Sequence, residues 1–218
     1  MAEDYKVDEG TLSNFIALFL KNFSMKMNGL FVKNIADFVF SLGEFVVIKM
    51  DKLLPKYVEY YNDIVDEEIS MAEIHDSYKL LHVGCGPVPS TSVLIAQKTN
   101  AHVTGIDKDA QAIKGARSCI QLLNLIDQIK VQHANALDFS IEGFDVIMVS
   151  QGVEPRYEIL KNISRSLKAG TKVLFRTVSN VHGELTESDT ILKDFFTIKK
   201  ISTHEHHGLL ISILLFKK

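Results

Sequence analysis

The chain has 218 residues, of which 46% are hydrophobic and 23% are charged, and its formal net charge is -3. This composition is typical of a globular protein and excludes a disordered chain. The near-neutral charge argues against a nucleic-acid partner, which would favour a basic face. Two cysteines, Cys85 and Cys119, are too few for a disulfide framework, so a reducing cytoplasm is the expected compartment. Neither a signal peptide nor a membrane span is expected.

Helical periodicity dominates the first part of the chain. Apolar residues recur at three- and four-residue steps from Leu12 to Phe23. The stretch from Leu30 to Met50 and, after a break at Pro55, the stretch from Tyr57 to Ile69 also predict helices. We therefore predict an N-terminal helical part over residues 1–76, whose Phe-rich stripes pack either on their own domain or across a homodimer.

The periodicity changes after residue 78, where short segments rich in β-branched residues alternate with helix-like stretches. This alternation indicates βαβ units and a parallel sheet covered on both faces. The predicted strands are Lys79–Val83, His102–Ile106, Ile129–His133, Phe144–Val149 and Thr171–Phe175, and the predicted helices are Thr91–Lys98, Ala110–Leu123 and Tyr157–Leu167.

Two further strands, Phe196–Ile201 and Leu210–Phe216, follow with only a short loop between them, so they must pair antiparallel. A parallel sheet closed by an antiparallel hairpin is the architecture of S-adenosylmethionine-dependent transferases. The predicted fold class for residues 77–218 is therefore α/β: a Rossmann-like, class I transferase sheet with a C-terminal hairpin. Ligands of such sheets bind beyond the carboxyl ends of the strands.

A glycine-rich loop, VGCGPVPST at residues 83–91, follows the first predicted strand. Gly84, Cys85 and Gly86 open it, and the position where a dinucleotide site needs a third glycine is Pro89, with Pro87 before it. Proline has no N–H group, so two of the donors that a pyrophosphate would use are missing. The loop therefore favours a ligand without phosphate, and S-adenosylmethionine is the predicted cofactor.

Three more strand ends carry candidate cofactor residues. Asp107 follows the second strand, 21 residues after Gly86, where a carboxylate accepts both ribose hydroxyls; the alternative is a solvated loop acid. Asn135 and Ala136 follow the third strand, either at the adenine edge or in a plain turn. Ser150 ends the fourth strand, at the level expected for the substituents of the sulfonium.

These motifs together resemble nicotianamine synthase, especially its short archaeal forms. The resemblance rests on the G-x-G-P-x-P loop with its following hydroxyl residue, on DVIMVSQGVEPRYEILKNI at 145–163, on FRTVSN at 175–180 and on LPKYVEYY at 54–61. It covers residues 50–218 well and residues 20–50 weakly. It implies transfer of the 3-amino-3-carboxypropyl group of S-adenosylmethionine to a small amine or amino-acid acceptor, with release of methylthioadenosine.

The same resemblance implies roles for individual residues. Gly84, Gly86, Asp107 and Asn135 fall on cofactor positions, and Tyr57 falls on an active-site tyrosine that orients an amine or relays its proton, unless it is a packing residue. Glu154 and Arg176 fall near the mouth of the site, as substrate-binding residues. Arg176 either grips an α-carboxylate or forms a structural ion pair with Glu154 or Glu158.

One position departs from the family. In the best alignment, SMKMN places Asn28 where the family has an acidic residue, and an asparagine cannot accept a proton at neutral pH. Glu44 and Glu59 are candidate substitutes. Two rival functions therefore stay open: an ordinary small-molecule methyltransferase, and a catalytically silent S-adenosylmethionine-binding protein.

Histidines form two further candidate features. The run HEHHG at 204–208 contains imidazoles that suit transition metals, but it lies in the predicted hairpin loop, where neighbouring side chains diverge. A solvated turn without a metal is therefore predicted there. His82 lies on a buried strand and is predicted to be a hydrogen-bonded core histidine.

Overall fold

The computed structural model describes residues 54–180, 184–186 and 192–218. The first two predicted helices, Asn28 and Glu44 lie outside these residues, so the boundary at residues 76/77 stays a prediction. The described elements are α1 (Leu54–Glu59), α2 (Asn62–Ala72), β1 (Lys79–Val83), α3 (Ser90–Thr99), β2 (His102–Asp107), α4 (Ala110–Leu122), β3 (Ile129–His133), β4 (Val146–Val149), α5 (Arg156–Ser166), β5 (Lys172–Val178), α6 (Leu192–Phe195), β6 (Phe196–Thr203) and β7 (Leu210–Lys217).

The seven strands form one sheet in the order β3-β2-β1-β4-β5-β7-β6. Strands β1 to β5 are parallel to one another, and β7 pairs antiparallel with both β5 and β6. The strand order reverses at β1, because β2 and β4 lie on either side of it. The predicted fold class is confirmed, including the antiparallel hairpin, and the switch point places the ligand edge at the carboxyl ends of β1 and β4.

The predicted helix Tyr57–Ile69 is wrong in one respect, because the structure has two helices there. α1 ends at Glu59 and α2 begins at Asn62, so Tyr60 and Tyr61 form a corner between them. Pro55 lies inside α1 rather than before it. Proline is tolerated in the first turn because its missing N–H would have no helical partner there.

Helices cover both faces of the sheet, as the buried strands require. One face packs against α1, α2, α3 and α4, and Leu54, Val58 and Val65 share a core with the strand residues Leu80 and Met148. The opposite face packs against α5, which buries Ile159 and Ile163 there. The two described N-terminal helices are therefore part of the sheet's own core. None of the helices that the structure describes is long and apolar enough to cross a membrane.

Candidate active site

The backbone N–H groups of residues 84–86 in the glycine loop donate hydrogen bonds to other groups of the protein. The amides of Gly84 and Cys85 both donate to the carbonyl of Ile106, at 2.9 and 3.1 Å, and the amide of Gly86 donates to Asp107 Oδ2 at 3.0 Å. Pro87 and Pro89 have no N–H, which leaves only the amide of Val88 between residues 84 and 89. The loop is therefore unsuited to a phosphate, which needs several converging donors.

Gly84 cannot be replaced by a larger residue without strain. Its φ is +75°, and a Cβ built on it would lie 2.4 Å from Val153 Cγ2 and 3.5 Å from Ser150 Cβ. The close approach brings the end of β1 against the end of β4, so the loop and Ser150 lie side by side. The side chain of Cys85 is buried and packs 3.1 Å from the Cβ position of Gly105, so Cys85 contributes packing and backbone at this place.

Asp107 holds the loop from the end of β2. One carboxylate oxygen accepts from the Gly86 amide and the other accepts from the Asp109 amide, both at 3.0 Å. The side chain is only partly buried, and each carboxylate oxygen retains a second lone pair. Asp107 is thus a fixed carboxylate at the position predicted for a ribose-binding residue, rather than a freely solvated loop acid.

The turn after β3 takes up the side chain of Asn135. Its Oδ1 accepts from the Leu137 amide at 3.1 Å and its Nδ2 donates to Asp138 at 3.2 Å, which is an Asx-type turn. Ala136 is partly buried beside it and lines a groove of about 290 Å³ against α5. The geometry shows the turn that the sequence left open as an alternative, and a role at the adenine edge stays a prediction.

A neutral polar chain links β1, β4 and α3. His82 Nε2 lies 2.8 Å from Ser150 Oγ, and His82 Nδ1 lies 2.8 Å from Ser92 Oγ. Burial, with the positive charge of Arg176 as a second cause, lowers the pKa of His82 to about 3. The ring is therefore uncharged at neutral pH, and His82 is the satisfied core histidine that the sequence predicts.

A charged cluster lies on the same face of the sheet, across β5 and β7. Arg176 Nε and Nη2 donate to the two carboxylate oxygens of Glu68 at 2.7 and 2.6 Å, and the Ser212 hydroxyl donates to Glu68 at 2.6 Å. His204 Nε2 lies 2.9 Å from Ser212 Oγ. Glu68 is 0% exposed and Arg176 is 6% exposed. Burial opposes the charge of Arg176, but Glu68 outweighs it and raises the pKa of the guanidinium above its ordinary value.

Arg176 forms the structural ion pair that the sequence left open as an alternative, but its partner is Glu68 and not Glu154 or Glu158, and binding of an α-carboxylate by Arg176 stays a prediction. Phe175 and Arg176 are successive strand residues and face opposite sides of the sheet, and the Arg156 guanidinium lies 5.6 Å over the Phe175 ring. Glu158 lies on α5, which packs on the same face of the sheet as Phe175, and Glu154 lies just before α5. The sequence analysis missed Glu68, although it lies on the apolar stripe of Ile64, Val65 and Met71. A charged residue on a buried helical stripe is the signal that would have found it.

Glu154 is exposed and belongs to the start of α5. Its side chain accepts from the Arg156 amide at 3.1 Å, and its carbonyl accepts from Lys108 Nζ at 3.0 Å. The Glu154–Pro155 peptide bond is cis. Arg156 also donates to Thr177 Oγ and to the carbonyl of Gln151, each at 3.3 Å. Glu154 thus helps to order the loop after β4, and substrate binding by Glu154 stays a prediction.

Tyr57 is partly buried and packs against the core below the sheet. Its ring centroid lies 5.7 Å from that of Tyr61, and the ring centroids of Tyr61 and Tyr60 are 5.3 Å apart. Tyr60 in turn lies 4.5 Å from the ring of His207. The structure shows the packing role of Tyr57, and its predicted contact with an acceptor stays a prediction.

The histidines of HEHHG turn to different partners, as the divergence argument requires. His204 is buried against Ser212, whereas His207 Nε2 contacts Asp63 Oδ1 at 2.9 Å, at the start of α2. Although partial burial opposes it, His207 lowers the pKa of Asp63. Among the residues that the structure describes, no group of three or more His, Cys, Asp or Glu side chains is arranged to hold a metal.

Several of the curated relatives that the chain resembles are named as transferases. An L-histidine 2-aminobutanoyltransferase of Yersinia pestis is 27% identical over 120 residues, which are 55% of this chain and 45% of the relative. A protein of the same name from Pseudomonas aeruginosa is 25% identical over 132 residues, or 59% of this chain and 49% of the relative. The chain thus spans about half the length of the curated relatives that it matches.

Several solved structures share the fold at low sequence identity. MtNAS, a nicotianamine synthase, was solved with MTA and tNA; it has a TM-score of 0.69 and 20% identity, covering 80% of this chain and 68% of its own. A glutamate-to-glutamine variant of MtNAS with S-adenosylmethionine has a TM-score of 0.74 and 18% identity, and the match covers 98% of this chain and 85% of the variant. An RNA methyltransferase from Salinibacter ruber has a TM-score of 0.56 and 16% identity, covering 72% and 92%.

The likenesses below 25% identity show the fold alone, which is that of S-adenosylmethionine-dependent methyltransferases. S-adenosylmethionine, the cofactor predicted from the glycine loop, is the cofactor of this fold. Membership of the nicotianamine synthase family stays a prediction. The methyltransferase domain family, in contrast, matches residues 74–210, well over half of the sequence. The chain therefore belongs to the methyltransferase domain family.

Proposed function

We propose that the chain is an S-adenosylmethionine-dependent transferase that moves a 3-amino-3-carboxypropyl group to the amine of a small amino-acid acceptor. The observation that carries the cofactor half of this proposal is the glycine loop. Its amides at 84, 85 and 86 are bonded internally and two of its other positions are prolines. Such a loop fits a neutral adenosine with a sulfonium and excludes a dinucleotide.

The relatives support the group that is transferred. Relatives from Yersinia pestis and Pseudomonas aeruginosa are named as L-histidine 2-aminobutanoyltransferases, and an aminobutanoyl group has the same four-carbon amino-acid skeleton as the 3-amino-3-carboxypropyl group. In the proposed reaction the acceptor nitrogen attacks the carbon of the 3-amino-3-carboxypropyl group that is bonded to the sulfur of S-adenosylmethionine. The carbon–sulfur bond breaks, its electron pair stays on sulfur as the neutral thioether of methylthioadenosine, and the nitrogen loses a proton to a base. L-histidine is therefore the first acceptor to test.

The residues near the ligand edge have defined tasks in this reaction. Asp107 would accept the ribose hydroxyls with the lone pairs that its two amide bonds leave unused. The Gly84–Gly86 backbone, at the carboxyl end of β1, would lie against the adenosine. Ser150 would face the sulfonium. Holding the acceptor in line with one of the three sulfonium carbons decides which group moves, and alignment of this kind is worth about 7–11 kcal/mol of barrier.

The methyltransferase domain match favours a second candidate, transfer of the methyl group. The two reactions release different by-products from the same donor. Methyl transfer gives S-adenosylhomocysteine, whereas aminocarboxypropyl transfer gives methylthioadenosine.

Incubation of the purified chain with S-adenosylmethionine and L-histidine, followed by mass spectrometry, tests the proposal. We expect methylthioadenosine together with a product heavier than the acceptor by one aminocarboxypropyl unit. Asp107→Asn should slow its formation at least tenfold, because a charged hydrogen-bond acceptor is lost. Asp127→Asn, which changes an exposed acid after α4, is the matched control. S-adenosylhomocysteine as the sole by-product, with L-histidine and with other amino acids, would overturn the proposal in favour of methyl transfer.

A further inference from the structure

The neutral chain Ser92–His82–Ser150 joins the buried core to the ligand edge. Ser150 follows the last residue of β4, and its Cβ lies 3.5 Å from the Cβ position of Gly84. Its hydroxyl is thus next to the glycine loop, at the carboxyl end of a strand beside the switch point. Ser92 lies on α3, which begins immediately after the loop, and is 0% exposed.

Both ring nitrogens of His82 are engaged, and this determines what the two hydroxyls can do. A neutral imidazole has one N–H donor and one lone-pair acceptor. His82 therefore donates to one serine and accepts from the other, at 2.8 Å on each side. The ring is 2% exposed and held on both sides, so it cannot turn without breaking both bonds. The hydroxyl oxygen of Ser150 is consequently held in one position.

We infer that His82 is a positioning residue, which orients the Ser150 hydroxyl toward the sulfonium end of bound S-adenosylmethionine. This rests on the cofactor half of the proposed function and not on which carbon is transferred. Two hydroxyls contact the ring, Ser92 from α3 and Ser150 from the end of β4, and the positive charge of Arg176 on β5 also acts on it. Only Ser150 among these lies against the glycine loop, so the effect of His82 on the ligand passes through that hydroxyl.

A double-mutant cycle on His82→Leu and Ser150→Ala separates positioning from mere packing. The dissociation constant of S-adenosylmethionine is measured by calorimetry without acceptor. Ser150→Ala should raise it about 3- to 10-fold, the weight of one hydrogen bond. His82→Leu should raise it by a similar factor, and the double variant should bind no more weakly than Ser150→Ala alone. His82→Gln, which retains a donor and an acceptor, should stay within about twofold of the unchanged protein.

The controls keep the inference separate from folding and from the proposed function. Ser164→Ala removes a buried hydroxyl that bonds its own helix α5, and it should leave the dissociation constant unchanged. If His82→Leu does not fold, Ser150→Ala and His82→Gln decide the inference. Ser150→Ala must weaken binding and His82→Gln must retain it, and a loss of more than about twofold with His82→Gln that persists in the Ser150→Ala background would overturn it. The inference would be overturned if the double variant's loss of affinity were the product of the two single losses. It would also be overturned if His82→Leu lowered the melting temperature but left the affinity unchanged. If the effects of the His82 and Ser150 substitutions are coupled as expected but the enzyme releases S-adenosylhomocysteine, only the proposed reaction is overturned.

Discussion

The ligand edge of the sheet has two buried polar regions that differ in charge. Beside β1 and β4 the neutral imidazole of His82 bridges two hydroxyls, whereas beside β5 and β7 the Glu68 carboxylate of α2 and the Arg176 guanidinium of β5 form a buried pair 108 residues apart in sequence. Both regions keep net positive charge away from the end of β4, because His82 stays unprotonated and Glu68 neutralises Arg176. The proposed ligand carries a sulfonium cation, and the pairing of Arg176 with Glu68 removes the repulsion that an unpaired guanidinium would exert on it.

Removing the negative half of the charged region should have the largest effect. Glu68→Gln keeps the shape of the side chain but leaves the Arg176 guanidinium buried without its counter-charge. We expect a loss of about 3–5 kcal/mol in the free energy of unfolding, measured with urea. The affinity for S-adenosylmethionine should also fall in whatever fraction remains folded, because an unbalanced positive charge then lies near the sulfonium.

A double variant tests whether charge or shape is responsible. Glu68→Leu combined with Arg176→Met replaces the pair by apolar side chains of similar length, and apolar replacements of buried pairs are often neutral or stabilising. The double variant should therefore recover most of the stability that Glu68→Gln loses. A double variant as unstable as Glu68→Gln would show that the hydrogen bonds from Ser212 and the fit of the side chains matter more than the charge.

The glycine loop on the neutral side can be disrupted through sterics alone. Gly84→Ala forces a residue with a Cβ to a φ of +75° and places that atom 2.4 Å from Val153 Cγ2. We expect a loss of about 2–4 kcal/mol in unfolding free energy from backbone strain and overpacking together. Calorimetry should also detect no binding of S-adenosylmethionine at concentrations that saturate the unchanged protein.

Two changes divide that loss into its parts. Gly143→Ala has a similar φ of +84° but nothing within 4 Å of the new Cβ, so it should cost only the strain, about 1–2 kcal/mol. Val153→Ala combined with Gly84→Ala removes the clashing methyl group and should cost less than Gly84→Ala alone. Equal stabilities for Gly84→Ala and Gly143→Ala would mean that Val153, in the loop after β4, moves aside freely.

The neutrality of His82 predicts a dependence of stability on pH. The pKa of this histidine falls from 6.5 to about 3 on folding, so below pH 6.5 the unfolded chain binds one proton more. The stability that His82 contributes is present above pH 6.5 and is lost as the pH falls toward 3, at about 1.4 kcal/mol per pH unit. Between pH 7 and pH 5 the unchanged protein should lose about 2 kcal/mol more than His82→Gln, measured by urea unfolding. Parallel curves for the two proteins would mean that folding does not change the pKa of His82.

The sequence predicted those features that depend on neighbouring residues. The strands and the hairpin follow from local periodicity. The shortage of N–H donors in the glycine loop follows from Pro87 and Pro89, which lack N–H groups wherever they are placed. Asp107 follows from its spacing after the loop. The partner of Arg176 does not, because Glu68 lies 108 residues away and only the packing of α2 on β5 brings the two together. The corner at Tyr60 and Tyr61 was missed because no proline or glycine marks it.

The smallest expected effect comes from Glu67, the neighbour of Glu68 on the exposed side of α2. Glu67 Oε1 accepts from Lys200 Nζ at 2.8 Å, but the side chains of Glu67 and Lys200 are 38% and 50% exposed. The Lys200 hydrogen bond lowers the pKa of Glu67, so its contribution is present above the ordinary carboxylate pKa and is lost as the pH falls through the lowered value. Because solvent and salt screen the pair, Glu67→Gln should cost less than 1 kcal/mol at pH 7 and nothing measurable in 1 M salt. Urea unfolding of Glu67→Gln and Glu68→Gln under the same conditions compares two carboxylates of one helix. A cost for Glu67→Gln that approaches that of Glu68→Gln would show that burial is not what distinguishes them.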